Sequence, residues 1–230
     1  QIDAMGVPGD AWDAIVTSGD ASRAEVAAGR IGQRVEHVGP DRDLPFFEGL
    51  DVARVGRDEA EGVVLTGLYD DETETPEDYA EAVADWLARG LPVLCANPDI
   101  VVDRGDARVY CAGAIAEAFR AAGGTPLYAG KPHAPIYRLS ASEAERLRGP
   151  GPWRTLAVGD GIATDILGAA QQGIASVFVT GGLAAAVLKS DAGTTDQTAQ
   201  DAWLANQPAR PDFVMSRLRQ SGFPSERTGS

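Results

Sequence analysis

Cysteine is scarce in this chain: 230 residues hold two, Cys95 and Cys111. Two thiols build no disulfide framework, and no Cys-x-x-Cys pair exists to hold zinc. Both sit in apolar runs, so each reads as a small core residue rather than a ligand or nucleophile. Long apolar runs are also lacking, and none approaches the ~18–20 residues that span a bilayer. Basic charge is short, with 20 Lys and Arg against 34 Asp and Glu, a net charge of −14. Nucleic-acid binding rests on Lys and Arg neutralising phosphates, so no such partner is expected. Gln1-Ile2-Asp3-Ala4-Met5 offers neither a basic start nor an apolar core for an export signal. An acidic cytoplasmic protein is therefore expected, and a periplasmic solute binder is disfavoured. A first residue other than Met, with an apolar stretch close behind it, suggests a chain cut from a longer one.

What is present is alternation. Short β-branched runs at 14–17, 62–66, 92–96, 126–129, 155–158 and 174–179 predict strands, and 34–38 is strand-like. Helical patterns fall between them, at 21–28 before Gly29, and at 114–122 before Gly123-Gly124. A further helix opens at Thr75-Pro76-Glu77-Asp78: Thr75 can cap, Pro76 suits the first position, and the acids favour the positive end. Tyr79, Val83, Trp86 and Leu87 follow at helical spacing, and Gly90 stops it. Strand–helix alternation with continuously apolar strands predicts an α/β fold with mostly parallel sheets covered on both faces. Residues 190–200 read as a surface loop and 221–230 as a frayed end.

In such sheets ligands bind beyond the carboxyl ends of the strands. Gly130-Lys131-Pro132 follows one predicted strand and Gly159-Asp160-Gly161 the next, with Asp165 five residues after Asp160. Two carboxylates about one helical turn apart suit a hard cation that takes oxygen ligands, water and substrate phosphate, as magnesium does. Asp160 could equally start a turn and cap a helix at 162–172. A lysine held between Gly130 and Pro132 is a fixed point charge, and phosphoryl transfer needs such a cation. Two decoys fail. Gly159-Asp160-Gly161 has Thr164 where a dinucleotide fingerprint needs Gly, and Gly130-Lys131 lacks the earlier Gly and the Ser/Thr of a P-loop.

Gly130-Lys131-Pro132-His133 and Val158-Gly159-Asp160-Gly161-Ile162-Ala163-Thr164-Asp165 resemble the third and fourth motifs of haloacid-dehalogenase-like hydrolases. The likeness is to subclass IIA, and it runs from about Met5 to Leu218. The stretch 67–79, with Cys95-Ala96-Asn97-Pro98-Asp99 and Cys111-Ala112-Gly113-Ala114, resembles the cap of one branch of that subclass. The resemblance implies a doubly wound, Rossmann-like parallel core, at 1–31 and 127–230, with the α/β cap domain of that subclass inserted at 32–126. It also implies a Mg2+-dependent phosphatase acting on a small phosphorylated metabolite, a sugar phosphate or nucleotide, through an aspartyl-phosphate. Lys131 would neutralise nucleophile and phosphate, Asp160 would ligate Mg2+, and Asp165 would hold the metal's waters or orient Lys131. Asn97 and Asp99 follow a cap strand and could face substrate or simply form a turn. His133 could touch substrate, His37 reads as structural, and a homodimer through the cap is open.

The family's Asp-x-Asp-Gly nucleophile motif is absent from the sequence, and aligning 14–17 with the strand entering the cap puts both early motifs before Gln1. On that reading these residues alone show no turnover, and a non-catalytic phosphate-binding protein is the rival. Asp41-Arg42-Asp43 is an Asp-x-Asp after a strand-like run, with Thr66 as its second motif. Gly39-Pro40 and Leu44-Pro45 depart from the family's strand-to-turn pattern there, which favours a charged surface loop. Asp70, Asp71, Glu72, Glu74, Glu77 and Asp78 form an acidic run: a solvated loop and helix start, a second metal site or a site for a cationic substrate.

Overall fold

The computed structural model describes residues 6, 8–104, 107–188 and 197–218. It divides into two compact units, Gln1–Gly151 and Pro152–Ser230. Among the described residues no helix is long and apolar enough to cross a membrane.

The first unit is built on strands β1 (Arg34–Val38), β2 (Ala53–Arg54), β3 (Gly62–Leu65), β4 (Val93–Cys95) and β7 (Leu127–Tyr128). They lie side by side in the order β2-β1-β3-β4-β7, and every pairing is parallel. An antiparallel hairpin, β5 (Val101–Arg104) and β6 (Ala107–Tyr110), stands apart from that sheet. Successive strand residues alternate between two cores, as the pleat requires. Val63, Leu65, Val93 and Cys95 join Tyr79, Val83 and Trp86 of the α2 segment (Ala80–Arg89 and the turn before it), with Ile115 and Phe119 of α3 (Ala112–Ala121). Val35, Val64 and Leu94 join Ala21 and Val26 of α1 (Ser18–Ala27) and Ile136 of α4 (Ala134–Arg148). The sheet is thus covered on both faces, as its continuous apolar strands predict.

Local signals explain most boundaries. Thr75 and Asp78 form a reciprocal capping box ahead of Pro76, a 3-10 turn leads into α2, and Gly90 closes that helix at φ +63°. The expected strand at 14–17 does not form. Thr17 instead caps α1 through a box with Asp20, so the helix starts three residues earlier than expected. Among the described residues no strand pairs with Ile15, which stays exposed, and a β-branched run without a ladder partner has no backbone bonds to gain. The boundary expected at 126/127 falls inside this unit. β7 pairs with β4 (Leu94 with Leu127, Cys95 with Tyr128), so a division there would cut one continuous sheet.

The second unit is a parallel sheet in the order β10-β9-β8, formed by β8 (Leu156–Gly159), β9 (Ala175–Val179) and β10 (Phe213–Met215). Its helices are α5 (Leu167–Gln171), α6 (Ala185–Leu188) and α7 (Gln197–Ala205). Ile162, Ile166, Phe178, Leu188 and Leu204 make its core, and Phe178 stacks on Trp203. Here coverage is one-sided: Leu156 and Val158, alternate residues of edge strand β8, are 52% and 46% exposed. Residues 197–200, expected in a loop, begin α7; 190–196 and the expected frayed end at 221–230 lie outside the described residues.

Candidate active site and a charged cleft

Asp160 is the first residue after β8. Its Oδ2 accepts the backbone N–H of Leu183 (3.0 Å), tying this strand end to the loop after β9. A π-helical turn over Ile162–Ile166 follows, in which the Gly161 carbonyl accepts from Asp165 N (2.8 Å) and Ile166 N (3.1 Å). Such turns are rare and concentrate at functional sites. The turn swings Asp165 back, so that its Oδ2 accepts the Gly161 N–H at 3.0 Å. Asp160 and Asp165 thus stand on one loop at the carboxyl end of β8, the first bonded to Leu183 N–H and the second to Gly161 N–H, and the helix expected at 162–172 is π-helical turn first and α-helix only from Leu167.

Three glycines make room for the two carboxylates. A Cβ on Gly159 would lie 2.5 Å from Asp165 Oδ2, and one on Gly182 would lie 2.5 Å from Asp160 Cβ and 2.6 Å from its Cγ. A Cβ on Gly161 would overlap Thr164 Oγ1. The requirement here is close approach, with no unusual φ involved. Beside Asp160 opens a cavity of about 310 Å³, lined also by Gly182, Ser216 and Arg217. Two carboxylates on one loop match in number the one or two that magnesium takes from protein while keeping water and substrate oxygens. Among the described residues no group of three or more His, Cys, Asp or Glu is placed to hold a metal ion, so the pair supplies part of a ligand set.

Lys131, His133, Asn97 and Asp99 belong to the first unit, Asp160 and Asp165 to the second. Lys131 leaves the carboxyl end of β7 in a turn closed by His133 N–H to Gly130 O (2.9 Å), with the Lys131–Pro132 peptide cis. His133 stacks on Tyr128 (centroids 5.1 Å apart, 20° between planes) and precedes α4; burial holds its imidazole below the ordinary range. Asn97 leaves the adjacent strand β4 on the same sheet edge, two residues past the Cys95–Tyr128 pair. Its Oδ1 accepts Asp99 N (3.2 Å), and the Asp99 carbonyl accepts Gly113 N (3.1 Å) at the start of α3. Asn97 and Asp99 thus build a turn on which α3 is seated. Cys95 donates to the Asn97 carbonyl (3.1 Å), and burial pushes its thiol up to about 12, so it is inert at neutral pH.

The acidic run is mostly an internal scaffold. Asp70 accepts from Glu72 N (3.0 Å) and Thr73 Oγ1 (2.8 Å), while Glu74 accepts from Asp70 N (2.9 Å) and Tyr79 OH (2.6 Å). Asp78 caps the turn at Thr75. Asp71 differs. It takes two bonds from Arg104 (2.9 and 2.6 Å) and one from Arg42 (2.6 Å), and the Arg104 bonds, with those of Arg42, hold its carboxyl at about 2. Nothing local in the sequence marks Arg42 or Arg104 as a site residue, since Arg42 sits between two acids and Arg104 lies outside the motifs above. Those acids lie on a 3-10 turn at Asp41–Phe47, separated from β1 by Gly39-Pro40.

A family model described as HAD-hydrolase-like matches residues 128–221. No curated protein matches the chain. Among solved structures, a haloacid dehalogenase-like hydrolase from Brucella suis is 42% identical. The match covers 95% of this chain and 77% of that one, with a TM-score of 0.71. A 4-nitrophenylphosphatase from Thermotoga maritima is 28% identical over 93% of this chain and 73% of its own, with a TM-score of 0.62. A glycerol phosphate phosphatase from Mycobacterium tuberculosis, solved in complex with magnesium, is 25% identical. That match covers 87% of this chain and 55% of its own, with a TM-score of 0.60.

Proposed function

Because the chain belongs to the haloacid dehalogenase-like hydrolase family, and the solved structures it resembles include a 4-nitrophenylphosphatase and a glycerol phosphate phosphatase, we propose that it carries the phosphate- and metal-binding residues of a Mg2+-dependent phosphomonoester hydrolase. The observation that carries the reading is the glycine-cradled pair Asp160 and Asp165 at the end of β8. The substrate class is a small phosphorylated metabolite. In the proposed reaction an aspartate carboxylate attacks phosphorus, the P–O ester bond breaks, and water then frees phosphate from the aspartyl-phosphate. Lys131, fixed at its turn, offsets the charge of nucleophile and phosphoryl oxygens. Asp160 would ligate the metal, and Asp165, whose bond to Gly161 N–H fixes the loop, would hold the metal's waters or orient Lys131. Magnesium, when bound, shields the phosphoryl oxygens.

The nucleophile is not assigned to any of these 230 residues. Among the described residues no strand pairs with the outer edge of β8, where Leu156 and Val158 are exposed, which supports a picture in which the strand bearing the nucleophile adds to that edge. The 230 residues alone are then expected to release no p-nitrophenol from p-nitrophenyl phosphate with Mg2+. A Mg2+-dependent rate abolished by Asp41→Ala would instead place the nucleophile at the first acid of the Asp41–Asp43 turn. Mg2+ affinity, read by calorimetry in the presence of inorganic phosphate, is expected to fall at least tenfold in Asp160→Asn. Unchanged affinity would remove the metal from this loop.

A further inference from the structure

The first unit has a second feature with the marks of a ligand site. From β1 the chain goes to β2 on one side and then to β3 on the other, so the strand order reverses between β1 and β3. Open parallel sheets bind ligands in the crevice outside the carboxyl ends at such a reversal. A cleft of about 520 Å³ lies there. Its walls are Arg42 after β1, Thr66 and Asp71 after β3, Asn97 after β4, and Arg104 and Tyr110 of the hairpin. That volume is within the usual range for a small-molecule site.

The chemistry of the walls is specific. Arg42 and Arg104 come from segments 62 residues apart in sequence, yet both reach the same oxygen, Asp71 Oδ2, at 2.6 Å. Their guanidinium groups are therefore already spaced to bracket one carboxylate-sized anion, and Asp71 stands where such an anion would go. Each guanidinium offers five N–H donors. Three bonds to Asp71 leave seven of the ten unengaged by any hydrogen bond among the described residues. The Arg42 and Arg104 side chains are 58% and 49% exposed, while Asp71 is 10% exposed. An arriving anion thus meets donors before it meets the acceptor.

We propose that this cleft binds a small metabolite through a carboxylate or phosphate group held by Arg42 and Arg104, with Asp71 acting as a built-in competitor that sets the affinity. The cleft shares its sheet edge with Lys131. Strand spacing of about 4.8 Å puts the end of β7 roughly 10–15 Å from the ends of β3 and β1. Identifying the bound group as the far end of a phosphatase substrate rests on the function proposed above; the binding itself does not.

Malonate and inorganic phosphate serve as separate probes in calorimetric titrations of the 230-residue chain at low salt, where no turnover is needed. Saturable binding of either is expected, and which one binds tells carboxylate from phosphate. Arg42→Gln and Arg104→Gln should each weaken it at least tenfold, while Asp71→Asn, by releasing both guanidiniums, should tighten it at least tenfold. A gain of affinity cannot come from partial unfolding, which guards against variants that merely loosen the hairpin. Binding of phosphate that survives Arg104→Gln and disappears in Lys131→Ala would overturn the proposal, as would an Asp71→Asn chain with unchanged affinity or no binding of either probe. Hydrolysis by a catalytically complete protein tests the phosphatase reading separately, so the two can fail independently.

Discussion

Replacing Gly182 by alanine tests the carboxylate cradle directly. The added methyl would overlap Asp160 Oδ2 and sit 2.5 Å from Asp160 Cβ. Carbon atoms settle at about 3.5–4.0 Å, so the overlap is about 1 Å or more. Rotating the carboxylate away relieves the clash with Oδ2 but not with Cβ, which is fixed to the backbone. The loop after β9 must therefore retreat from the end of β8, breaking the Leu183 N–H bond to Asp160 Oδ2. Overpacking accounts for about 1–3 kcal/mol. A hydrogen bond to a charged acceptor accounts for about 1.5–3 kcal/mol. Solvent at this half-open loop takes back part of that, so a loss of about 2–4 kcal/mol is expected. With two compact units in the chain, global unfolding need not be a single transition, so local amide exchange in β9, at Val177 and Phe178, is the better readout. In an Asp160→Gly background both clashing groups are gone, and Gly182→Ala should then cost less than about 1 kcal/mol. Equal destabilisation in both backgrounds would refute the cradle, and so would a Gly182→Ala chain that keeps its Mg2+ affinity.

Trp86 donates its indole N–H to buried Glu36 (2.7 Å), which also takes Arg57 Nε (3.2 Å). Trp86→Phe strands one carboxylate oxygen in the core and should cost about 2–4 kcal/mol by urea unfolding, most of it recovered when Glu36 is also made leucine. Gly113→Ala places a methyl 2.5 Å from the Asp99 carbonyl oxygen and in overlap with that of Pro98. Both obstacles are backbone, so a loss of about 2–3 kcal/mol is expected in a thermal melt, with α3 displaced from its seat. Burial holds the His37 imidazole below its ordinary range, against the raising influence of Asp43, and its Nε2 pairs with Thr66 Oγ1 at 2.9 Å. A folded-state value below the unfolded one means that the unfolded chain binds more protons. Stability should therefore fall as pH drops from about 6.5 towards 5, and this slope should shrink in His37→Gln, measured as unfolding free energy at pH 7.5 and 5.5.

Much of the fold was legible because its signals are local and agree with one another. The run Gly62–Leu65 is short, β-branched and flanked by turn residues, and it is a strand buried on both faces. Thr75, Pro76, Asp78 and Gly90 announce both ends of their helix. Ala14–Thr17 shows the opposite case: four residues with strand propensity form no strand, because a ladder needs a neighbour and the Thr17–Asp20 capping box competes for the same backbone. The hairpin of Val101–Arg104 and Ala107–Tyr110 carries a weak sequence signal, since Asp103 and Arg104 follow only two β-branched residues in its first strand.

The site divides along the same line. Asp160 and Asp165 were readable because five residues of sequence fix their separation, whatever the rest of the chain does. The π-helical turn shifts the helix start yet keeps Asp165 on the same loop as Asp160, since Asp165 is held by Gly161 only four residues away. Arg42, Asp71 and Arg104 have no such local bond. Asp71 lies 29 residues from one partner and 33 from the other, inside an acidic run in which Asp70, Glu74 and Asp78 bond within the segment 70–79. Read along the chain, Asp71 is one more solvated acid and Arg42 a spacer between two aspartates. Only the parallel sheet, by delivering the ends of β1 and β3 side by side and laying the hairpin across them, gives the three residues a common point. A site whose members are joined by topology alone becomes visible when the strand order is known, and the reversal between β1 and β3 is the feature that should direct mutagenesis to this cleft.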